Sequence, residues 1–548
     1  MAAPPTEDCG WLLYLSLAAK CGDPSRLLGL AAVFVAACVV TSLLHWACPG
    51  GPAWGRYWWT RRGGLGIVRA AIPGPRGLPV VGSMGLMTGL AHRKLAAAAG
   101  SQGSSRRRRL MALSLGETRA VVTGDPDVAR ELLGSAAFAD RPVKESAYGL
   151  LFHRAIGFAP HGAYWRALRR VASAHLFSPR QVAASSAQRA VIARQMVDAV
   201  TTTAPAVVVA RRFLKRASLH NVMWSVFGRR YDLLLLAADG EELKALVDEG
   251  YDLLGQLNWS DHLPWLARFD LQRTRARCSA LVPRVNRFVG NIIDEHRARL
   301  GLGDTGGVTD FTDVLLSLQG VDKLSDADMV AVLWEMIFRG TDTVAVLMEW
   351  VLARLVLHQD VQSKVQEELD RVVGPPGQAV TVKESDTASL VYLQAVIKEV
   401  LRLHPPGPLL SWARLATSDA RVGGYHVPAG TTAMVNMWAI THDPSVWAEP
   451  TEFRPERFVG ASAGAGAGAE DVPMIMGSDL RLAPFGSGRR SCPGKSLALA
   501  TVGFWVATLL HEFKWLPPCR GVDLSEVLRL SCEMAAPLEA RVVPRHAV

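Results

Sequence analysis

A mainly α chain with small β-sheets, in one big domain or two ordinary ones behind an N-terminal membrane-crossing helix, is what three features of the sequence predict. The first is the length of its helical patterns: Ser325 to Trp350, then Asp360 to Val373 and Leu390 to Leu403. The second is the scarcity of strand signals, which are short, as in Arg119 to Thr123 and Thr431 to Val435. The third is Leu27 to Trp46, a stretch without Asp, Glu, Lys or Arg that matches the ~20 residues needed to cross a hydrocarbon core. With 548 residues, 49% of them apolar, and 16 Trp, the remainder can bury a large core.

Taken in order, residues 1–26 are expected to be a short lumenal N-terminus and residues 27–46 the anchor. A cleaved signal peptide is the rival reading, but Glu7 and Asp8 stand where a basic n-region belongs. No acidic residue lies between Asp23 and Glu117, while Arg56, Arg61, Arg62, Arg69, Arg76, Arg93, Lys94 and the run Arg106 to Arg109 do. That excess should stay cytoplasmic and keep the bulk of the protein in the cytosol. Residues 47–83 then read as a basic, aromatic and Pro-rich linker, with Trp54, Tyr57, Trp58 and Trp59 at headgroup level and Ile72 to Ser83 as a semi-rigid hinge. Residues 84–548 make up the bulk of the protein. Gly301 to Gly307 and Gly460 to Ala469 read as surface loops without chemistry. Ser325, with Asp328 three residues on, supplies a capping start for the longest helix.

A net charge of +10 suits nucleic acid, an anionic membrane or an acidic partner equally; its concentration beside the apolar span selects the membrane, and nucleic acid is not expected. The 8 cysteines form no C-x-x-C pair, so a zinc ribbon or disulfide scaffold is poorly supported. Single histidines such as His153, His161, His262 and His442 have no ligand spacing. The sequon Asn258-Trp259-Ser260 would be silent on a cytosolic domain.

One cysteine differs. Cys492 lies in Phe485-Gly486-Ser487-Gly488-Arg489-Arg490-Ser491-Cys492-Pro493-Gly494, where two arginines and a glycine-permitted turn offer positive charge and backbone N–H groups to a thiolate. Such a sulfur could ligate iron. Phe485, Gly488, Arg490, Cys492 and Gly494 match F-x-x-G-x-R-x-C-x-G, so the chain resembles the cytochrome P450 superfamily, of the microsomal plant type, from residue 72 to about 540. The resemblance implies the fold of that superfamily as a single large haem-thiolate monooxygenase domain over residues 84–548, haem b with Cys492 as axial ligand, and O–O cleavage favoured by the thiolate.

It also implies roles for other residues. Arg339-Gly340-Thr341-Asp342-Thr343 resembles the family's distal [A/G]-G-x-[D/E]-T-[T/S], making Asp342 and Thr343 a proton relay on a helix locally opened by glycine. Arg339 departs from the usual small residue, and two uses are open to it: a substrate carboxylate, or an i,i+4 ion pair with Glu335. Glu399 and Arg402 match the E-x-x-R helix, and Arg457 the P-E-R-F loop, as a structural triad. Trp165 and Arg169 match W-x-x-x-R; with Arg414 and Arg490 they would hold the haem propionates. Arg166, Arg169, Arg170, Arg489 and Lys495 would make the proximal surface basic, fit for NADPH-cytochrome P450 reductase, so that NADPH acts only indirectly.

Phe338 to Thr343, Asn258 to His262 and Ser531 to Ala535 resemble a plant subfamily tied to organ growth and leaf initiation rate. What this implies is insertion of one oxygen atom of O2 into a small lipophilic, fatty-acid-derived substrate, by a single-pass protein of the endoplasmic reticulum membrane. Two other readings stand beside it: a haem-thiolate isomerase or dehydratase of hydroperoxides, which would not need Asp342-Thr343, and a non-enzymatic haem sensor.

Overall fold

The computed structural model describes residues 24–61, 71–100, 109–203, 207–230, 238–301, 310–377, 380–410, 413–459 and 479–545. Residues 1–23, the glycine tracts, most of the Arg106 to Arg109 run, and Arg62 and Arg69 lie outside these.

The elements that place the site are helices α1 (Pro24–Trp46), α2 (Pro52–Arg61) and α3 (Ala91–Gly100), strands β1 (Met111–Leu115) and β2 (Thr118–Thr123), helices α4 (Ala163–His175), α5 (Ala210–Phe227), α6 (Ala238–Gly255), α7 (Asp326–Leu357) and α8 (Val391–Leu403), strands β3 (Arg414–Leu415) and β4 (Thr432–Val435), helix α9 (Lys495–Glu512), and strands β5 (Glu526–Leu528) and β6 (Cys532–Met534). The predominance of helix and the small size of each sheet agree with the sequence reading. Helix α7 starts as expected: Ser325 Oγ accepts from Asp328 N at 3.2 Å and donates to the Asp328 carboxylate at 2.6 Å. It continues to Leu357: around Trp350 it is apolar and buried on nearly every side, and its one buried carboxylate there, Glu349, is paired with Arg211 at 2.8 Å.

One core gathers Trp350, Trp505 and Trp515 from α7, α9 and the strand that follows; a second holds Trp334 and Phe338 of α7. Helix α5 lies close along α7: a Cβ on Gly340 would come 2.5 Å from the Val222 side chain. The expected opening of α7 at that glycine is not seen. The helix is continuous, and the glycine is needed for the crossing instead.

A four-stranded sheet runs β1–β2–β4–β3, with β2 and β4 parallel and the other pairs antiparallel. It covers a third core around Trp54 and Phe138. This alters the expected linker. Trp54 is not at headgroup level but 1% exposed, its indole N–H donating to Leu113 O at 3.1 Å and Ala120 O at 3.3 Å. Ser114 Oγ donates to Gly50 O at 2.7 Å and accepts from Ala53 N at 3.0 Å. An indole gains more from a dry pocket that satisfies its N–H than from the interface, so α2 docks on the sheet. Helix α1, long and apolar enough to cross a membrane and exposed along its length, joins α2 through a short turn. Trp46 closes that turn by donating to Gly77 O at 2.8 Å.

Candidate functional site

Cys492 faces α7 across one large cavity whose walls include Arg141, Arg169, Arg339, Arg414 and Arg490. The loop that presents it depends on Gly488, with φ +68°, where a Cβ would sit 2.1 Å from Leu133 O. Gly486 also has a positive φ, and Cys492 N donates back to Phe485 O at 2.9 Å, closing the turn. Gly494 leads into α9 against the ring of Phe177.

Burial pushes the Cys492 thiol above its ordinary range, against the lowering effect of a hydrogen bond from Gly494 and of Arg339, Arg169 and Lys495. The two loop arginines expected to hold a thiolate are turned elsewhere. Arg489 donates to Gly134 O, and Arg490 to Ala139 O, Ile156 O and Ala159 O. A thiolate here therefore calls for a cation above the sulfur, as a coordinated metal would supply.

The arginines make the second half of that fit. Burial lowers the Arg414 guanidinium to about 9, with Arg490 and Arg169 adding repulsion. Burial likewise brings Arg490 to about 10 and holds Arg141 well below its ordinary value, the latter also opposed by Arg414, Arg339 and Arg490. Asp140, 3.5 Å from Arg490, and Glu335 are the carboxylates that offset this repulsion. Crowded cations of this kind accommodate a ligand with two carboxylates beside a metal, and the residues fit a haem.

Arg141 was not picked out as a cationic site residue from sequence; a lone arginine in a loop carries no spacing signal. Trp165 differs from its expected use. Its indole N–H donates to Ile156 O at 2.9 Å, so the ring serves as a platform with Arg490 stacked 4.3 Å above it. Arg169 donates to Ser491 O at 2.9 Å, and Arg414 reaches Ser487 O at 3.4 Å, both bracing the cysteine loop.

On α7 the structure separates the two relay residues. Thr343 lines the cavity and donates to Arg339 O at 3.3 Å. Asp342, one residue and about 100° away around the helix, is buried against α5, where Lys215 Nζ lies 2.7 Å from Oδ1. Lys215 also lies 3.5 Å from Glu533. Arg339 lines the cavity with its Nε donating to Glu335 Oε1 at 2.9 Å, and Glu335 also accepts from Gly157 N at 2.8 Å.

Behind the cysteine loop, Glu399, Arg402 and Arg457 interlock. Arg402 makes two 2.8 Å bonds to the Glu399 carboxylate, and Arg457 Nε donates to it at 3.1 Å. Both members of the first pair are 0% exposed. Cys532, unlike the partly exposed Cys492, is buried. Burial and the nearby Glu526 raise its thiol, and it does not line the cavity. The arginine-walled cavity therefore points to Cys492 as the sulfur that faces a cofactor.

A family model described as cytochrome P450 matches residues 72–531. Cytochrome P450 78A9 of Arabidopsis thaliana is 59% identical over 541 residues, covering 97% of this chain and 98% of that protein. Cytochrome P450 78A3 of Glycine max is 58% identical over 541 residues, covering 98% and 99%. A more distant relative, trimethyltridecatetraene synthase of Zea mays, is 36% identical over 509 residues, covering 86% and 88%. The near-complete match, together with a cysteine presented to an arginine-walled cavity beneath a long buried helix, makes this chain a member of the cytochrome P450 family of haem-containing monooxygenases.

Proposed function

We propose that the protein holds haem b through the Cys492 thiolate and inserts one oxygen atom of O2 into a small lipophilic substrate, with electrons from NADPH-cytochrome P450 reductase. The observation that carries the reading is the single cavity shared by Cys492, the arginine group and Thr343. Arg141, Arg169, Arg414 and Arg490 would hold the haem carboxylates, with Trp165 beneath Arg490. Bound haem supplies the O2-splitting chemistry, favoured by the electron density of a thiolate ligand.

The remaining steps belong to the chain. Thr343 Oγ1, which donates to Arg339 O through a long 3.3 Å bond, would turn its proton to the cavity, and its place opposite Cys492 would put that proton where oxygen is reduced. Asp342 faces Lys215, which is 34% exposed, so this face of α7 is the side open to proton supply from solvent. Arg339 is committed to Glu335, so a substrate carboxylate would have to compete with a neighbour already in contact. That geometry favours the structural use of Arg339 over substrate binding.

The wider setting extends the same reading. Residues 27–46 cross the endoplasmic reticulum membrane once and the catalytic domain, residues 84–548, is cytosolic. Arg166 and Arg489 on the proximal face present positive charge to an acidic reductase, and the chain acts in plant growth signalling. The apolar, exposed helix α1 supports the anchor, and the organisms of the relatives support the plant setting.

The test uses the full-length protein in detergent. Reduced protein under CO should give the red-shifted Soret band of a thiolate ligand, and Cys492→Ser should abolish that band. A thiolate spectrum in Cys492→Ser, or its loss in Cys532→Ser instead, would overturn the ligand assignment. NADPH consumption dependent on added reductase tests the electron source.

A further inference from the structure

A second group of ligand-type side chains lies outside the cavity, drawn from two distant parts of the chain. His92 comes from α3, Glu526 from β5 and Cys532 from β6. One ligand atom from each lies within 4.8 Å of the others. His92 is 0% exposed, and neither of its ring nitrogens has a hydrogen-bond partner. Its Nε2 is 3.6 Å from Glu526 Oε2, too long for a hydrogen bond. An imidazole left this way in a dry interior is costly, and an ion or water is the usual reason for one.

Glu526 is held in place for such a role. Arg354 donates to His404 Nε2 at 2.7 and 3.0 Å, so the His404 proton sits on Nδ1 and is given to Glu526 Oε1 at 3.1 Å. A ligating carboxylate oriented by an outer hydrogen-bond donor is the arrangement expected around a metal. The other oxygen is met by Arg93 at 2.7 Å, from a side chain 47% exposed that can swing back to solvent. Arg93 supplies the positive charge that a cation would otherwise bring.

We propose that His92, Glu526 and Cys532 form a zinc site separate from the cysteine-loop cavity. The mixed imidazole, carboxylate and thiolate set is one zinc accepts, whereas magnesium and calcium prefer oxygen alone. On binding, the Cys532 thiol loses its proton to solvent, Arg93 leaves Glu526, and a water completes the coordination. The site would tie α3 to the turn between β5 and β6, whose Leu530 and Ser531 line the substrate cavity.

Haem-loaded full-length protein, incubated with zinc chloride and desalted, should retain zinc in equal amount to its iron by elemental mass spectrometry. His92→Gln and Cys532→Ser should retain iron while zinc falls by at least ~10-fold, and His404→Gln should weaken retention by ~10–100-fold through its hold on Glu526. Zinc retained equally by wild type and both ligand variants would overturn the proposal, as would no retention in wild type. Should Cys532→Ser fail to keep haem, X-ray absorption at the zinc edge of the wild type decides: a sulfur at about 2.3 Å sustains the site, and nitrogen and oxygen alone refute it.

Discussion

Replacing Arg402 by alanine tests whether the buried charge cluster behind the cysteine loop is organised around that one side chain. Arg402 makes two bonds to Glu399 and three more to the carbonyls of Thr441, Pro450 and Glu452, at 2.8, 2.6 and 3.0 Å. Without it, Glu399 keeps Arg457 Nε and Arg454 N but stays fully buried, and three carbonyls lose their donor. Breaking a buried pair in this way costs about 3–5 kcal/mol. Arg457→Ala is the internal comparison. It removes one 3.1 Å bond to Glu399 and two bonds to the carbonyls of Ala448 and Glu449, at an exposed edge where water can replace the donor, and it leaves the two-bond contact to Arg402 intact, so about 1.5 kcal/mol is expected. The assay is a urea titration of the detergent-solubilised chain, followed by Soret absorption and Trp emission. Arg402→Ala should lose haem at the lower urea concentration by a clear margin. A cost within about 0.5 kcal/mol of wild type, the range of an ordinary surface change, or Arg457→Ala proving the more damaging, would refute the reasoning.

Thr343→Ala should continue to consume NADPH with reductase while releasing peroxide in place of product, since the cavity loses its hydroxyl but electron delivery is untouched; tight coupling in that variant would mean protons arrive elsewhere. Arg339→Ala and Glu335→Ala should each alter the affinity for a medium-chain fatty acid and for its alcohol by the same factor, read from the haem spin shift, because the two side chains hold one another; a selective loss of acid binding in Arg339→Ala alone would restore the substrate role. His296 is lowered by burial, but its bonds to Asp310 Oδ2 at 2.9 Å and Ile292 O at 2.7 Å raise it more, so its net value lies above the ordinary one. Its contribution is full below pH ~6.5 and is lost as pH climbs through the raised value; the stability gap between wild type and His296→Gln should therefore narrow with rising pH, and a gap that widens would contradict it.

What could be read from the sequence was local chemistry. The Cys492 turn, the Ser325 start of α7 and the pairing of Glu399 with Arg402 each depend on residues a few positions apart, and the spacing carries them. Orientation around α7 could not be read, because periodicity orders faces without saying which neighbour covers each. Asp342 was expected beside Thr343 in function, yet Lys215, more than a hundred residues earlier, claims it from α5. Arg141 and the group of His92, Glu526 and Cys532 were hidden for the same reason, since only the fold brings them to their partners. Trp54 was misplaced because an aromatic run beside an apolar span reads as an interfacial belt, and the pocket that outbids the interface is made by β1 and β2.

The docking of α2 has a mechanical consequence. A Cβ at Gly55 would fall 2.0 Å from His45 O, so α1 and α2 cross in near contact, and α2 is nailed to the sheet by a buried indole. Such a joint has no swivel. A helix of this kind, set in a bilayer thicker or thinner than its apolar length, relieves the mismatch by tilting, and here the tilt would arrive at β1 and β2 as torque instead of being lost in a slack tether. If α1 anchors the chain as proposed, bilayer thickness would become a load on the enzyme's own sheet, and the same corner would set the height and heading of the cavity above the lipid.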